Sequence, residues 1–273
     1  MKKPRPSINR TPKQRAGRLG AAVALALCVM ALSLAVGPTL SRAQTETPSV
    51  PKGLPPVVVE LFTSQGCSSC PPAEAYLGDL AQRGDVIALE FHVDYWDYIG
   101  WPDPFGQAAY TARQRLYGER LDQRYIYTPQ MVIDGAAHAI GSRRGAVEAE
   151  IATAQSRRQR DQAAGRTPNL SVTPTEDGGI TVELGGPAPG GDAYEVVLVG
   201  YDERRETLIK RGENAGKTLA NHHIVRAVTP LGAWQGGRLR IPVSASALGW
   251  DASVILLQRA GQGPIAAAEV VRF

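Results

Sequence analysis

Val57-Val58-Val59-Glu60-Leu61-Phe62-Thr63-Ser64-Gln65-Gly66-Cys67-Ser68-Ser69-Cys70-Pro71-Pro72-Ala73-Glu74 is the stretch on which the fold turns. It opens with β-branched and aromatic residues that read as a buried strand. Four turn-forming residues follow, then two cysteines three apart, then a helical run through Ala75, Tyr76, Leu77 and Leu80. A strand that delivers Cys-x-x-Cys onto a helix start is the usual construction of a redox dithiol. The helix N-terminus stabilises one thiolate, and the second cysteine lies within reach to close a disulfide. Pro71 and Pro72 suit a first helical turn and would disrupt a later one, so the regular helix is expected to begin near Cys70.

Upstream, residues 1–43 read as a secretory signal peptide, not as fold. Seven basic residues fall within the first 18 positions, an apolar run spans Leu19–Val36, and Ser41-Arg42-Ala43 offers a small-residue cleavage site. An uncleaved anchor helix is the rival reading, which the alanine-rich run and the cleavage site disfavour. Cys28 falls inside the apolar run and leaves with it. Eight of the 30 basic residues and none of the 26 acidic ones lie in 1–43, which leaves 22 against 26 and a net charge of −4. The positive balance of the whole chain thus belongs to the leader and lends nothing to nucleic-acid binding. Export implies a periplasmic or secreted protein with no membrane association after cleavage. There, Cys67 and Cys70 are the two remaining cysteines in a compartment where disulfides persist. Such a short loop contributes little to stability by the loop-entropy model, so the pair reads as chemistry.

Residues 44–56 are a proline-rich linker. Strands are expected at Val86–Val93, Gln130–Ile133 and Ala136–Ile140, and helices at about 70–82, 105–123 and 143–160. Between them lie the aromatic loop Asp94–Pro104 and the turn Asp134-Gly135. From Thr167 the texture changes to eight short alternating runs punctuated by Gly, Pro, Asp and Asn, the pattern of a β-sandwich. The expected organisation is an α/β domain over 57–163 followed by a mainly β, sandwich-like domain over 168–273. The first is expected to fold without the second, since Gly165-Arg166-Thr167-Pro168 breaks the helical pattern. The β half shows no catalytic constellation, and binding or docking is its expected use.

The order β-α-β, helix, β-β-α, with Thr128-Pro129 ahead of the third strand, resembles the thioredoxin fold. The segments Glu60–Glu74, Phe91–Asp97 and Tyr127–Gly135, with Arg211–Leu219, are similar to an uncharacterised family of secreted bacterial thioredoxin-like proteins. That resemblance implies a thioredoxin-like domain in which Pro129 is cis and lies against the dithiol. It supplies no substrate.

The candidate catalytic residues are therefore Cys67, Cys70 and Pro129, supported by Thr128, His92, Asp94 and Glu74. His92 and Asp94 end the second strand beside the dithiol, where they would relay protons or simply pack under the aromatic loop. Glu74, one helical turn beyond Cys70, would accept its proton or stand solvated in the first turn. Tyr95, Trp96, Tyr98 and Trp101 would line a groove for an unfolded client or form core. His222-His223, adjacent on a strand, point to opposite faces and make a poor metal pair.

Two functions from different classes compete. In the first, a thiol–disulfide oxidoreductase works on protein or small thiols and disulfides with an unidentified electron partner; Cys67 attacks and Cys70 resolves. No cofactor, metal or nucleic acid is called for. In the second, Cys67, Cys70 and His92 hold or deliver copper(I), for which thiolates are soft ligands. A third reading is a binding protein with a vestigial disulfide.

Overall fold

The structure is a computed structural model, and it describes residues 53–271. The expected signal peptide and most of the proline-rich linker lie outside the described residues. Seven elements of the first half run in the order β1 (Val57–Thr63), α1 (Pro71–Ala81), β2 (Val86–His92), α2 (Ala108–Arg120), β3 (Gln130–Ile133), β4 (Ala137–Ile140) and α3 (Arg144–Ala163). Seven strands follow: β5 (Asn169–Pro174), β6 (Ile180–Gly185), β7 (Tyr194–Leu208), β8 (Thr218–Trp234), β9 (Leu239–Val243), β10 (Ala252–Arg259) and β11 (Ile265–Val270).

The fold is mixed α/β, with one eight-stranded sheet ordered β11-β10-β7-β8-β2-β1-β3-β4 and a second sheet ordered β5-β6-β9. β1 and β2 are parallel, and β3 joins β1 antiparallel. β1 and β2 are buried along their whole length, as their near-continuous apolar sequences require when both faces are covered. Alternation assigns the faces. Val58 and Phe62 face the cluster under α2, while Val57, Val59 and Leu61 face α1 and α3. The same alternation continues across the later strands. Val197, Val199, Val254 and Leu256 extend the α2-side core, and Val196, Leu198, Ile255 and Leu257 pack beneath the second sheet with Ile180, Val182 and Trp234.

The strands on either side of the division expected between 163 and 168 share one sheet: the large sheet passes from β2 directly to β8, and the described residues fall in one compact unit. What was expected as a self-contained sandwich is a second sheet laid on the far half of that shared sheet. Two of the eight short runs expected after Thr167, Ala193–Tyr201 and Glu206–Lys210, fall on a single strand, β7, paired along its length with β8. The charged stretch Asp202-Glu203-Arg204-Arg205-Glu206 between those runs reads locally as a connection. It is strand on a ribbon whose exposed charges meet one another, with Arg205 bonded to Asp202 at 3.2 Å and to Asp251 at 2.9 Å.

The seam between halves is narrow in backbone terms. β2 and β8 pair in parallel at Glu90 opposite Ile224. Side chains complete it: the buried Glu90 carboxylate accepts Asn221 Nδ2 at 3.0 Å and the His222 amide at 2.8 Å. Beyond the sheet, Asp134 in the β3–β4 turn accepts Arg158 through both carboxylate oxygens, and its carbonyl accepts the Ile265 amide at 2.8 Å.

Candidate functional site

Cys70 caps the N-terminus of α1 and Pro71 opens its first turn, so Cys67 lies in the turn before the helix, as the proline pair implied. Cys67 and Cys70 form a disulfide, their Cα atoms 5.5 Å apart. Cys67 is 1 % exposed and Cys70 0 %, although Ser68 and Ser69 between them are exposed. Thr128 Oγ1 lies 3.3 Å from Cys67 Sγ and is itself held by Trp96 Nε1 at 2.7 Å. The Thr128–Pro129 peptide is cis.

The loop backbone is tied down residue by residue. The Gln65 amide donates to Asp103 Oδ2 at 2.7 Å, the Gly66 amide to Ser64 Oγ, and the Cys67 amide to the Ser64 carbonyl. Asn214 Nδ2 donates to the carbonyls of Gln65 and Cys67 at 2.9 and 3.0 Å, and the Ser68 amide donates to Glu213 at 3.3 Å. Both of these partners come from the tip of the β7–β8 ribbon.

Beneath the loop lies a buried polar network. His92 Nδ1 meets Asp103 Oδ2 at 2.8 Å, and its Nε2 faces Glu90 at 3.7 Å without a hydrogen-bond partner. Burial alone would lower the His92 pKa, but Asp103 and Glu90 override it and hold the imidazole well above its usual 6.5. Burial tends to raise the Asp103 pKa, yet the His92 charge and its hydrogen bonds keep it below the ordinary carboxylate value. Gln65 continues the network to Asn221 at 3.0 Å, and Asn221 to Glu90.

The expected site residues separate into two groups. Cys67, Cys70 and Thr128 come together, with Pro129 following Thr128 across a cis peptide, and His92 reaches the dithiol loop through Asp103 and Gln65. Asp94 is committed elsewhere, its carboxylate accepting Thr111 Oγ1 of α2 at 2.5 Å. Trp96 and Trp101 are half-buried, and each commits its indole N–H to the site: Trp96 Nε1 donates to Thr128 Oγ1, and Trp101 Nε1 donates to Gln65 Oε1 at 3.2 Å. Among the described residues, no group of three or more His, Cys, Asp or Glu is placed to hold a metal ion. His222 packs on Gly78, and His223 Nδ1 meets the Ala88 carbonyl. Sequence reasoning missed Asp103, Asn214 and Asn221. Asn214 stood inside the Arg211–Leu219 run, but nothing there indicated that it reaches the dithiol.

Glu74 is not a solvated first-turn carboxylate. It is 2 % exposed and accepts Thr63 Oγ1 at 2.7 Å. Burial, then the charge of Glu90, pushes its pKa from 4.5 to about 8, with His92 and the Thr63 bond pulling the other way and Asp103 adding a smaller upward push. A carboxyl with a raised folded pKa binds more protons in the fold than in the unfolded chain between about 4.5 and 8, so its contribution to stability falls as pH rises through that window. Glu74→Gln removes the titration. Unfolding free energies from urea titrations at pH 5 and pH 8.5 are expected to diverge less in the variant than in the wild type, by at least about 1 kcal/mol. An unchanged difference would assign the pH dependence to His92, which titrates with the same sign.

A mixed α/β fold with one large sheet, a small second sheet and a Cys-x-x-Cys disulfide at a strand–helix junction defines the class of protein. The chain belongs to the family described as protein of unknown function (DUF1223), whose model matches residues 58–258. It is similar to the crystal structure of a structural-genomics target protein from Agrobacterium tumefaciens, with a TM-score of 0.65 and 28 % identity over 79 % of this chain and 93 % of that one. No curated protein matches the chain.

Proposed function

We propose that this protein is an exported thiol–disulfide oxidoreductase whose residues 57–163 are thioredoxin-like. The sheet order β2-β1-β3-β4, with parallel β1 and β2 and an antiparallel β3, supports the fold reading. One observation carries the functional reading: a Cys-x-x-Cys disulfide at the mouth of α1 with the hydroxyl of Thr128 against Cys67 Sγ. The site lies at the C-terminal end of β1, where the strand hands its residues to the helix.

In the reducing direction, the Cys67 thiolate attacks one sulfur of a client disulfide, forms a mixed disulfide and releases the first client thiolate. The Cys70 thiolate then attacks Cys67 Sγ, closes the disulfide seen here and releases the second client thiolate, so two electrons pass to the client. The released thiolates take up the protons that Cys67 and Cys70 lose. The oxidising direction reverses each step. Thr128 supplies a hydrogen-bond donor to Cys67 sulfur, and Glu74, its pKa raised by burial to about 8, provides a carboxyl one helical turn from Cys70. Because both sulfurs are covered in the disulfide form, exchange requires the side chains around Cys67 to shift locally.

Copper binding is the weaker reading, since His92 Nδ1 is committed to Asp103 rather than to the cysteines. Export itself rests on residues 1–43.

Single-cysteine variants test the assignment. Cys70→Ser is expected to accumulate mixed disulfides through Cys67, visible as reducible adducts on non-reducing gels and by mass spectrometry. Cys67→Ser is expected to trap at least about tenfold less, since Cys70 sits beneath the helix start. Adducts through Cys70 alone would reverse the roles, and no adducts from either variant would sink the oxidoreductase reading.

A further inference from the structure

Asn214 is fully buried although it belongs to a loop of exposed neighbours, Glu213, Ala215, Gly216 and Lys217. Its side-chain amide donates to two main-chain carbonyls that lie 149 and 147 residues earlier in the chain, those of Gln65 and Cys67. The Cys67 carbonyl also accepts the Cys70 amide at 3.2 Å, so the same oxygen closes the turn that brings the two cysteines together. On its other side, the Asn214 Oδ1 accepts Lys217 Nζ at 2.9 Å. An ammonium only donates, so Lys217 determines which end of the amide faces the cysteine loop. Next to it, the Glu213 carboxylate accepts the Ser68 amide. Gly212, at φ +78°, lets the ribbon tip lie against Trp101, where an added Cβ would come within 3.3 Å of the Trp101 Cβ.

We infer that Asn214 is a positioning residue for the dithiol, holding the Cys67 backbone in the geometry of the closed disulfide and thereby making the pair a stronger reductant. This rests on the thiol-exchange reading above. The reasoning is that of effective concentration. Closing the disulfide brings two thiols together, and a backbone already held in the closed arrangement loses less conformational freedom when the bond forms. Loosening the clamp therefore favours the open dithiol and raises the reduction potential. The β half, which carries no reacting group of its own, would then act on the chemistry through one side chain.

The test is equilibration of the full chain with glutathione redox buffers, read by mass spectrometry of alkylated protein. Asn214→Asp keeps the shape of the side chain and removes both donors. It is expected to shift the equilibrium about tenfold toward the dithiol, which is about 30 mV for a two-electron couple. Lys217→Met, at an exposed position, frees the amide to turn and is expected to shift it about threefold in the same direction. It serves as the deciding variant should Asn214→Asp fail to fold by circular dichroism. Shifts within twofold of wild type in the folded variants, or a shift toward the disulfide, overturn the inference and leave the thiol-exchange reading standing. A wild-type protein that does not equilibrate with glutathione at all defeats that reading, and this inference with it.

Discussion

A chain ending at residue 165 is expected not to fold, even though it contains every cysteine, helix and cis-proline of the candidate site. The truncation removes β8 and with it the partners of Glu90, whose carboxylate is buried in the full chain and bonded to Asn221 and His222. It strips Asn214 from the carbonyls of Gln65 and Cys67 and removes Gln258 from Arg113. It also exposes the apolar face that Val197, Val199, Val225, Val254 and Leu256 share with Val58, Phe62 and Phe91. Uncovering several aliphatic and aromatic side chains, at about 1.5–3 kcal/mol each, costs as much as the whole stability of a typical domain, about 5–15 kcal/mol. Circular dichroism and proteolysis of residues 44–165 are the measurements. A cooperative melt with native-like helix content would show that the shared sheet is dispensable.

This expectation reverses what the residues imply when read alone, and the reason is physical. The break at Gly165-Arg166-Thr167-Pro168 is real: α3 ends at Ala163 and β5 begins at Asn169. A break in local pattern marks the end of an element, whereas a domain boundary depends on which surfaces lie against each other across the chain. Those contacts here join residues more than a hundred positions apart, such as Glu90 with Asn221 and Gln65 with Asn214. Neither Asn carries a local signal: Asn214 at the ribbon tip reads as a solvated turn residue, and Asn221 inside β8 reads as one polar position of a half-exposed strand.

Where the physics is local, the reading of the residues holds. β1, α1 and β2 follow from runs of apolar residues and from the tolerance of a first helical turn for proline. The disulfide follows from cysteine spacing. β7 reads as two runs in the sequence because five charged residues in succession resemble a loop, and only pairing with β8 makes them strand. The burial of Glu74 is hidden from its sequence for a similar reason. A first-turn glutamate is ordinarily wet, and its burial depends on Thr63 of β1 and on the packing of α1 along β8, neither of which its own neighbours announce.

The largest single-residue effect is expected at Arg113. On β1, Glu60 alternates with Val59 and Leu61 and so faces α2, where a carboxylate would have no place without a partner. Arg113 supplies it, with Nη2 at 2.7 Å from Glu60 Oε1, while Tyr117 Oη bonds the other carboxylate oxygen. The same guanidinium donates to Gln258 of β10 at 3.0 Å and lies over the rings of Phe91 and Tyr117. One side chain thus ties α2, β1 and the C-terminal half together in a dry environment. Arg113→Leu leaves a buried carboxylate without its counter-ion and is expected to cost about 3–5 kcal/mol in urea unfolding. The penalty comes from the stranded Glu60, so the double variant Glu60→Leu/Arg113→Leu is expected to recover more than half of that loss. If the two single losses simply add in the double variant, the pair is not coupled, and the stability at this position comes from packing of the arginine stem and its contacts with the rings.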